Sequence, residues 1–269
     1  MTEMLLAVIV NLGSTGLAFM LGLSFRRISL GFRTRALRSF WKPITNDGVR
    51  VAIGSFFVND YYRDDPAGHE GIVSLVELAG YAGLGDLDAY IQLKEQLRRA
   101  GVRKVELGPG HQVSDEQRRE NLILLGGPHS NPLSAMVLRQ LPNTFSFGAA
   151  DGPGDFGKDA KIYDNILDSS MDCKKGPSGE LETDQGIMIR CANPFAAKKS
   201  VLIIAGSWGF GTAAGTRLIE DRIFLKNAVV NSGVAFEAVF TCKITDGSIS
   251  NIELGKVRRL AQSPVAARL

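Results

Sequence analysis

Val201–Ala205 is an apolar run of strand character that breaks into Gly206-Ser-Trp-Gly209-Phe-Gly211-Thr212 and then passes into a helix of small residues ending near Leu218. A buried strand that feeds a helix through glycines is the building unit of an α/β sheet. A helix begins with unpaired N–H groups and a partial positive charge, and glycine lets a phosphate approach that backbone closely. The same grammar occurs upstream. Strand Asn121–Leu125 runs into Gly126-Gly127-Pro128-His129-Ser130-Asn131-Pro132, with Asn131 placed as an N-cap and Pro132 as the first helical residue. Two such junctions predict a ligand crevice at the strand ends. The first strand, Arg50–Val58, contributes Gly54 and Ser55 to it. The expected ligand-binding residues are therefore Gly54, Ser55, Gly126, Gly127, Ser130, Asn131, Gly206, Ser207, Gly209, Gly211 and Thr212.

With 269 residues, 45% of them hydrophobic and 22% charged, the chain has the material for a sizeable core, which excludes a disordered or fibrous class. Apolar periodicity predicts two helical pieces between Gly71 and Gly101, the second lined by Leu87, Ile91, Leu93 and Leu97 with Asp86 as its N-cap. Val102–Leu107 reads as a short strand. The polar stretch Asn59–Glu70 reads as a loop over the strand ends, either a lid or solvated surface. Phe145–Asp184 is glycine-rich and irregular, with one strand at Lys161–Tyr163. Gln185–Cys191 and Ser200–Ala205 read as neighbouring strands joined through Asn193-Pro194-Phe195, and the helix after the glycine crown is expected to reach about Asn231. Thr245-Asp246-Gly247-Ser248 is a type I′ turn signal between Phe236–Ile244 and Ile249–Leu254. The expected class is α/β: a Rossmann-like, mostly parallel sheet over residues 49–269, closed by an antiparallel C-terminal hairpin.

Met4–Phe25 is a run of 22 residues without a charge, long enough to cross a hydrocarbon core of about 30 Å as a single helix. Basic residues follow this run instead of preceding it, so it reads as a retained anchor over residues 1–25 and not as a cleaved signal peptide. Residues 26–48 form a basic neck. Up to Lys42 the chain carries six basic residues against Glu3, a surplus of +5; with +3 for the whole chain, the remainder carries −2. Positive residues stay on the cytoplasmic side, which predicts a single-pass protein with its N-terminus outside and its main domain cytoplasmic. Lipid headgroups beside the neck are the expected membrane partner, and an acidic body argues against nucleic acid. Trp41, beside Phe40 and Pro43, suits either the headgroup level or packing on the domain.

Named chemistries are largely excluded. The crown lacks the Gly-Lys-Ser/Thr ending of a P-loop, and Gly209, Gly211 and Gly215 give GxGxxxG, one residue off the dinucleotide fingerprint. His69, His111 and His129 lie in loops without zinc-helix spacing, so no metal is expected, and no particular cofactor is indicated. Cys173, Cys191 and Cys242 offer neither CxxC spacing nor a disulfide framework. No GxSxG elbow occurs. Carboxylates near the crevice, Glu77 and Asp86 above all, with Asp60 and Asp64 in the loop, are the candidates for cleaving a glycosidic or phosphoester bond.

The segments LLGGPHSNPLS, QGIMIRCANPF and VLIIAGSWGFGTAAG together resemble an uncharacterised group of bacterial proteins in which a membrane helix carries a Rossmann-like domain with GGPxxN, NPF and GxxGxGT motifs. The resemblance spans roughly Val51 to Lys256 and implies an α/β fold, with no established activity. The GGPxxN segment alone is similar to segments of archaeal surface-layer proteins, which would make the domain external and structural; the basic neck opposes that placement.

Three functions are thereby expected in order: a membrane-anchored cytosolic binding module for a nucleotide or other phosphorylated ligand, a hydrolase of an N-glycosidic or phosphoester bond, and a non-catalytic structural domain. Ser14, Ala18 and Gly22 also recur every four residues along the apolar run, a small-xxx-small stripe that lets two helices approach closely in lipid. Replacing Ala18 and Gly22 together by Ile fills this groove while keeping the run apolar. Crosslinking of the chain in membranes is expected to fall sharply in that variant; an unchanged crosslinked fraction would place any self-association elsewhere.

Overall fold

The computed structural model describes residues 35–44, 47–55, 83–148 and 161–261. Met4–Phe25, the loop Asn59–Glu70 and Glu77 lie outside them. No helix among the described residues is long and apolar enough to cross a membrane.

The described chain is an α/β fold on a mixed seven-stranded sheet. In chain order its strands are β1 (Val49–Ile53), β2 (Val105–Pro109), β3 (Leu122–Leu125), β7 (Thr183–Asn193), β8 (Ala196–Gly206), β9 (Phe236–Thr245) and β10 (Ser248–Arg259). They lie in the order β10-β9-β7-β8-β3-β1-β2. Strands β2, β1, β3 and β8 run parallel, whereas β7, β9 and β10 pair antiparallel. The antiparallel part is thus three strands wide, more than the closing hairpin predicted, because β7 turns straight back into β8 instead of crossing over. At that turn Asn193 Oδ1 accepts from Phe195 N–H (2.9 Å), while its Nδ2 donates to the carbonyls of Arg118 and Glu120. The β9–β10 turn has φ of +49° at Asp246 and +67° at Gly247, as a type I′ turn requires.

Side chains alternate across the sheet and build two cores. On one face Val51, Ile53, Ile123, Leu125, Leu202 and Ile204 meet the helices α1 (Leu84–Ala100) and α3 (Gly209–Leu218). On the other, Ala52, Leu122, Leu124, Val201 and Ile203 meet α2 (Pro132–Leu138) and a small antiparallel sheet of β4 (Phe145–Phe147), β5 (Lys161–Asp164) and β6 (Ser169–Asp172). The small sheet is pinned by buried Glu237, which accepts from Thr144 and Phe145 N–H, and by Asp164, whose carboxyl the Arg258 guanidinium holds well below the usual carboxylate range. The single helix expected after the crown is broken into α3, α4 (Arg222–Lys226) and α5 (Ala228–Asn231). Asp221 and Asn227 explain the breaks: each side chain caps a new helix by accepting from two backbone N–H groups.

The end of the neck belongs to the domain. Residues 35–41 are helical, and Phe40 and Trp41 are 5% and 2% exposed, so Trp41 packs in the core and not at a headgroup level. Arg190 of β7 holds this segment. Its guanidinium lies 4.9 Å from the ring centres of both Phe40 and Phe236 and donates to the carbonyls of Phe40 (3.2 Å) and Val230 (3.0 Å). Replacing Arg190 by Met keeps the bulk but leaves two buried carbonyls unpaired, at about 1–3 kcal/mol each. The urea midpoint of Arg190→Met is expected to drop at an unchanged m value. An unaltered midpoint would show that the neck does not depend on this contact.

Candidate functional site

β1 connects to β2 on one side, and the chain then returns to place β3 on the other side of β1. The order therefore reverses between β1 and β3, the position where open α/β sheets form a crevice beyond their carboxyl ends. Residues from all four parallel strands gather there: Gly54 and Ser55 after β1, Gly110 and His111 after β2, Gly126 to Asn131 after β3, and Gly206 to Thr212 at the end of β8.

Asp86 closes this crevice from the side of α1. It is not the N-cap expected from the sequence, because Gly83 takes that position without a side-chain bond and the Asp86 backbone N–H donates to Gly83 O (3.0 Å). Its carboxylate turns over the strand ends instead, beside the Thr212 hydroxyl and the Gly54 backbone, whose N–H donates to Leu125 O (3.0 Å). Thr212 Oγ1 in turn accepts from Gly206 N–H (3.1 Å). The side chain is only 5% exposed, and burial pushes its pKa up to about 6 despite these two neighbours, which favour the charged form. Ser130 Oγ converges on the same spot. A Cβ on Gly54 would come 2.7 Å from both Asp86 Oδ2 and Ser130 Oγ, and one on Gly126 would come 2.8 and 2.7 Å from them. The two glycines keep room for these oxygens.

Asn131 does cap α2, accepting from Leu133 and Ser134 N–H at 3.1 and 3.3 Å. Its Nδ2 donates to Ala52 O of β1 and Leu125 O of β3, each at 3.0 Å, and the residue is fully buried. It ties the crevice walls together, so its hydrogen-bonding atoms face the chain.

The crown has its own internal anion. Asp184, at the start of β7, is fully buried and lies at the head of α3. Its carboxylate accepts from the N–H groups of Gly211 (2.5 Å), Gln185 (2.7 Å) and Trp208 (3.1 Å), and from Cys173 Sγ (3.5 Å). Burial raises its pKa to about 6. The helix-end donors that the sequence offers to a phosphate are thus engaged by this side chain. Gly211 has no vacant space above it, since a Cβ there would overlap Gln185 O and stand 2.7 Å from Gly206 Cα. Gly209 abuts Gly85, where a Cβ would overlap the Gly209 backbone, so the heads of α1 and α3 cross at these glycines. Ser207 donates its N–H to Gln185 O (2.8 Å). Gly127 has more room: Gly206 O and the Phe147 ring stand 3.6 and 3.7 Å from its Cβ position.

The sequence reading did not single out Asp184 or assign His111 a role. Asp184 had one signal, an acidic residue two positions before the apolar stretch that begins at Gly186. Among the described residues no group of three or more His, Cys, Asp or Glu stands ready for a metal ion. No protein-family model, curated protein or solved structure matches this chain.

The raised pKa of Asp86 has a stability consequence with a definite sign. A carboxyl at 3.8 in the unfolded chain and about 6 in the folded one contributes stability that is present below about pH 3.8 and lost as pH rises through 6. The shift corresponds to about 3 kcal/mol. Between pH 4 and 7, wild type is expected to lose stability relative to Asp86→Asn by that order in chemical unfolding. A difference independent of pH would mean that the carboxyl is in water.

Proposed function

We propose that the chain is a membrane-anchored module whose Rossmann-like domain faces the cytoplasm and binds a nucleotide or another small phosphorylated ligand through its hydroxylated, sugar-like part. The observation that carries this reading is the buried Asp86 carboxylate converging with Ser130 Oγ where the strand order reverses. A carboxylate in such a crevice is a strong acceptor for ribose-type hydroxyls, as in dinucleotide-binding sheets. Phosphate contributes less to recognition here, because Asp184 already holds the head of α3. Met4–Phe25 and the basic neck supply the anchor and the orientation in this reading.

One observation favours a second reading, hydrolysis of an N-glycosidic bond. A carboxyl with a pKa near 6 is protonated often enough near neutrality to act as a general acid toward a leaving base.

The test is thermal stabilisation of the full-length chain in detergent by a panel of nucleosides and their 5′-phosphates, with release of free base followed in the same samples. Nucleosides and nucleotides are expected to raise the melting temperature to a similar extent in wild type, and neither to do so in Asp86→Asn. Stabilisation by the phosphorylated members alone would overturn Asp86 as the anchor, and silence across the panel would overturn the binding reading in favour of a structural domain. Base release would establish the hydrolase.

A further inference from the structure

Ser55 is the first residue beyond Gly54 at the carboxyl end of β1, and its Oγ lies 2.7 Å from Nδ1 of His111. The contact joins residues 56 positions apart, so it is made by the fold and not by local chain geometry. Both partners are partly exposed and both are held by their backbones. Ser55 N–H donates to Ser130 O at 2.8 Å. His111 sits in the 3₁₀ turn Gly110–Gln112 that ends β2, and Gly110 packs so closely on the Asn131 carboxamide that a Cβ would overlap it. The same Asn131 clamps the ends of β1 and β3, so serine and histidine are fixed to one frame.

A neutral histidine offers one ring nitrogen as an acceptor, and a serine hydroxyl directed at it is the arrangement that turns a weak nucleophile into a usable one. Position supports the chemistry, because reacting groups in open α/β sheets stand at the carboxyl ends of strands beside the reversal point. A serine hydroxyl relieved of its proton by a neutral base attacks a carbonyl carbon, and the reaction class that follows is acyl transfer.

We propose that Ser55 and His111 form a nucleophile and base pair that hydrolyses carboxylic esters, and that the substrate class is a small O-acylated polyol. The polyol part of this assignment rests on the reading of Asp86 as the anchor for sugar hydroxyls. As Ser55 Oγ bonds to the carbonyl carbon, its proton passes to His111 Nδ1. The bond from that carbon to the alcohol oxygen then breaks, and the alcohol leaves with the proton held on Nδ1. Water next gives a proton to Nδ1 and adds its hydroxyl to the acyl carbon; Ser55 Oγ departs and takes the proton back. Acid and alcohol are the products, and nothing is oxidised or reduced.

The experiment uses the full-length chain in detergent micelles with p-nitrophenyl acetate as substrate and a fluorophosphonate as covalent probe. Wild type is expected to release p-nitrophenol with a burst and to carry the probe on the peptide containing Ser55. Ser55→Ala is expected to lose both signals. His111→Gln keeps a hydrogen-bonding group but no base; its rate is expected to fall by about 100-fold or more at an unchanged melting temperature. Absence of a Ser55 adduct in folded wild type, or turnover that survives in Ser55→Ala, overturns the pair. Nucleoside stabilisation measured on the same wild-type preparation separates the two readings. An adduct without stabilisation overturns the Asp86 anchor and the polyol leaving group with it, whereas stabilisation without an adduct overturns the serine and histidine pair alone.

Discussion

The carboxamide of Asn131 is the contact on which the carboxyl end of the sheet depends. One side chain donates to a carbonyl of β1 and a carbonyl of β3, accepts from two N–H groups at the head of α2, and lies against the turn that ends β2. Parallel neighbours diverge where their ladder stops; there Leu125 O keeps the Gly54 N–H, and the carbonyls at this buried end can take a further donor. Asn131 satisfies them and fixes the spacing of the two strands in the same act. Asn121 plays the corresponding part at the other end of β3, donating to Gly48 O and accepting from Ser200 N–H. The crevice walls are consequently set by side-chain amides at both ends of one four-residue strand.

The glycines around that frame answer to the chain's own packing. Gly54 and Gly126 leave room for a carboxylate and a hydroxyl, Gly110 for the Asn131 carboxamide, and Gly85 with Gly209 for the crossing of two helix heads. In the crown, Asp184 supplies the negative charge that a helix N-terminus attracts. A glycine-rich strand-to-helix junction has two physical solutions, an external anion or an internal one. Here the internal one sits on a neighbouring strand, β7, that reaches the crown only because β7 and β8 pair antiparallel.

At the opposite boundary the chain arrives from the neck through Phe40 and Trp41, which pack under the sheet with Arg190 between two aromatic rings. Burial lowers the Arg190 pKa to about 10, still far enough above neutrality to keep the charge on the guanidinium. Residues 35–41 are therefore part of the body that carries the crevice.

The apolar runs of β1, β3 and β8, the cap at Asn131, the Asn193 turn and the Asp246-Gly247 turn were legible in the linear chain, because each rests on local composition, geometry and spacing. The α/β class follows from them. What local reasoning cannot supply is the partner brought from a distance. Asp86 reads as an N-cap by its place before a helix, yet tertiary packing turns its carboxylate onto Thr212 and Gly54. Asp184 reads as an ordinary polar residue at a strand start until antiparallel pairing sets it under the crown. Ser55 and His111 follow the carboxyl ends of β1 and β2, which only the parallel register of Val49–Ile53 with Val105–Pro109 makes neighbours. Spacing along the chain determines which backbone groups are left unpaired; the assembled sheet decides which side chains come to meet them.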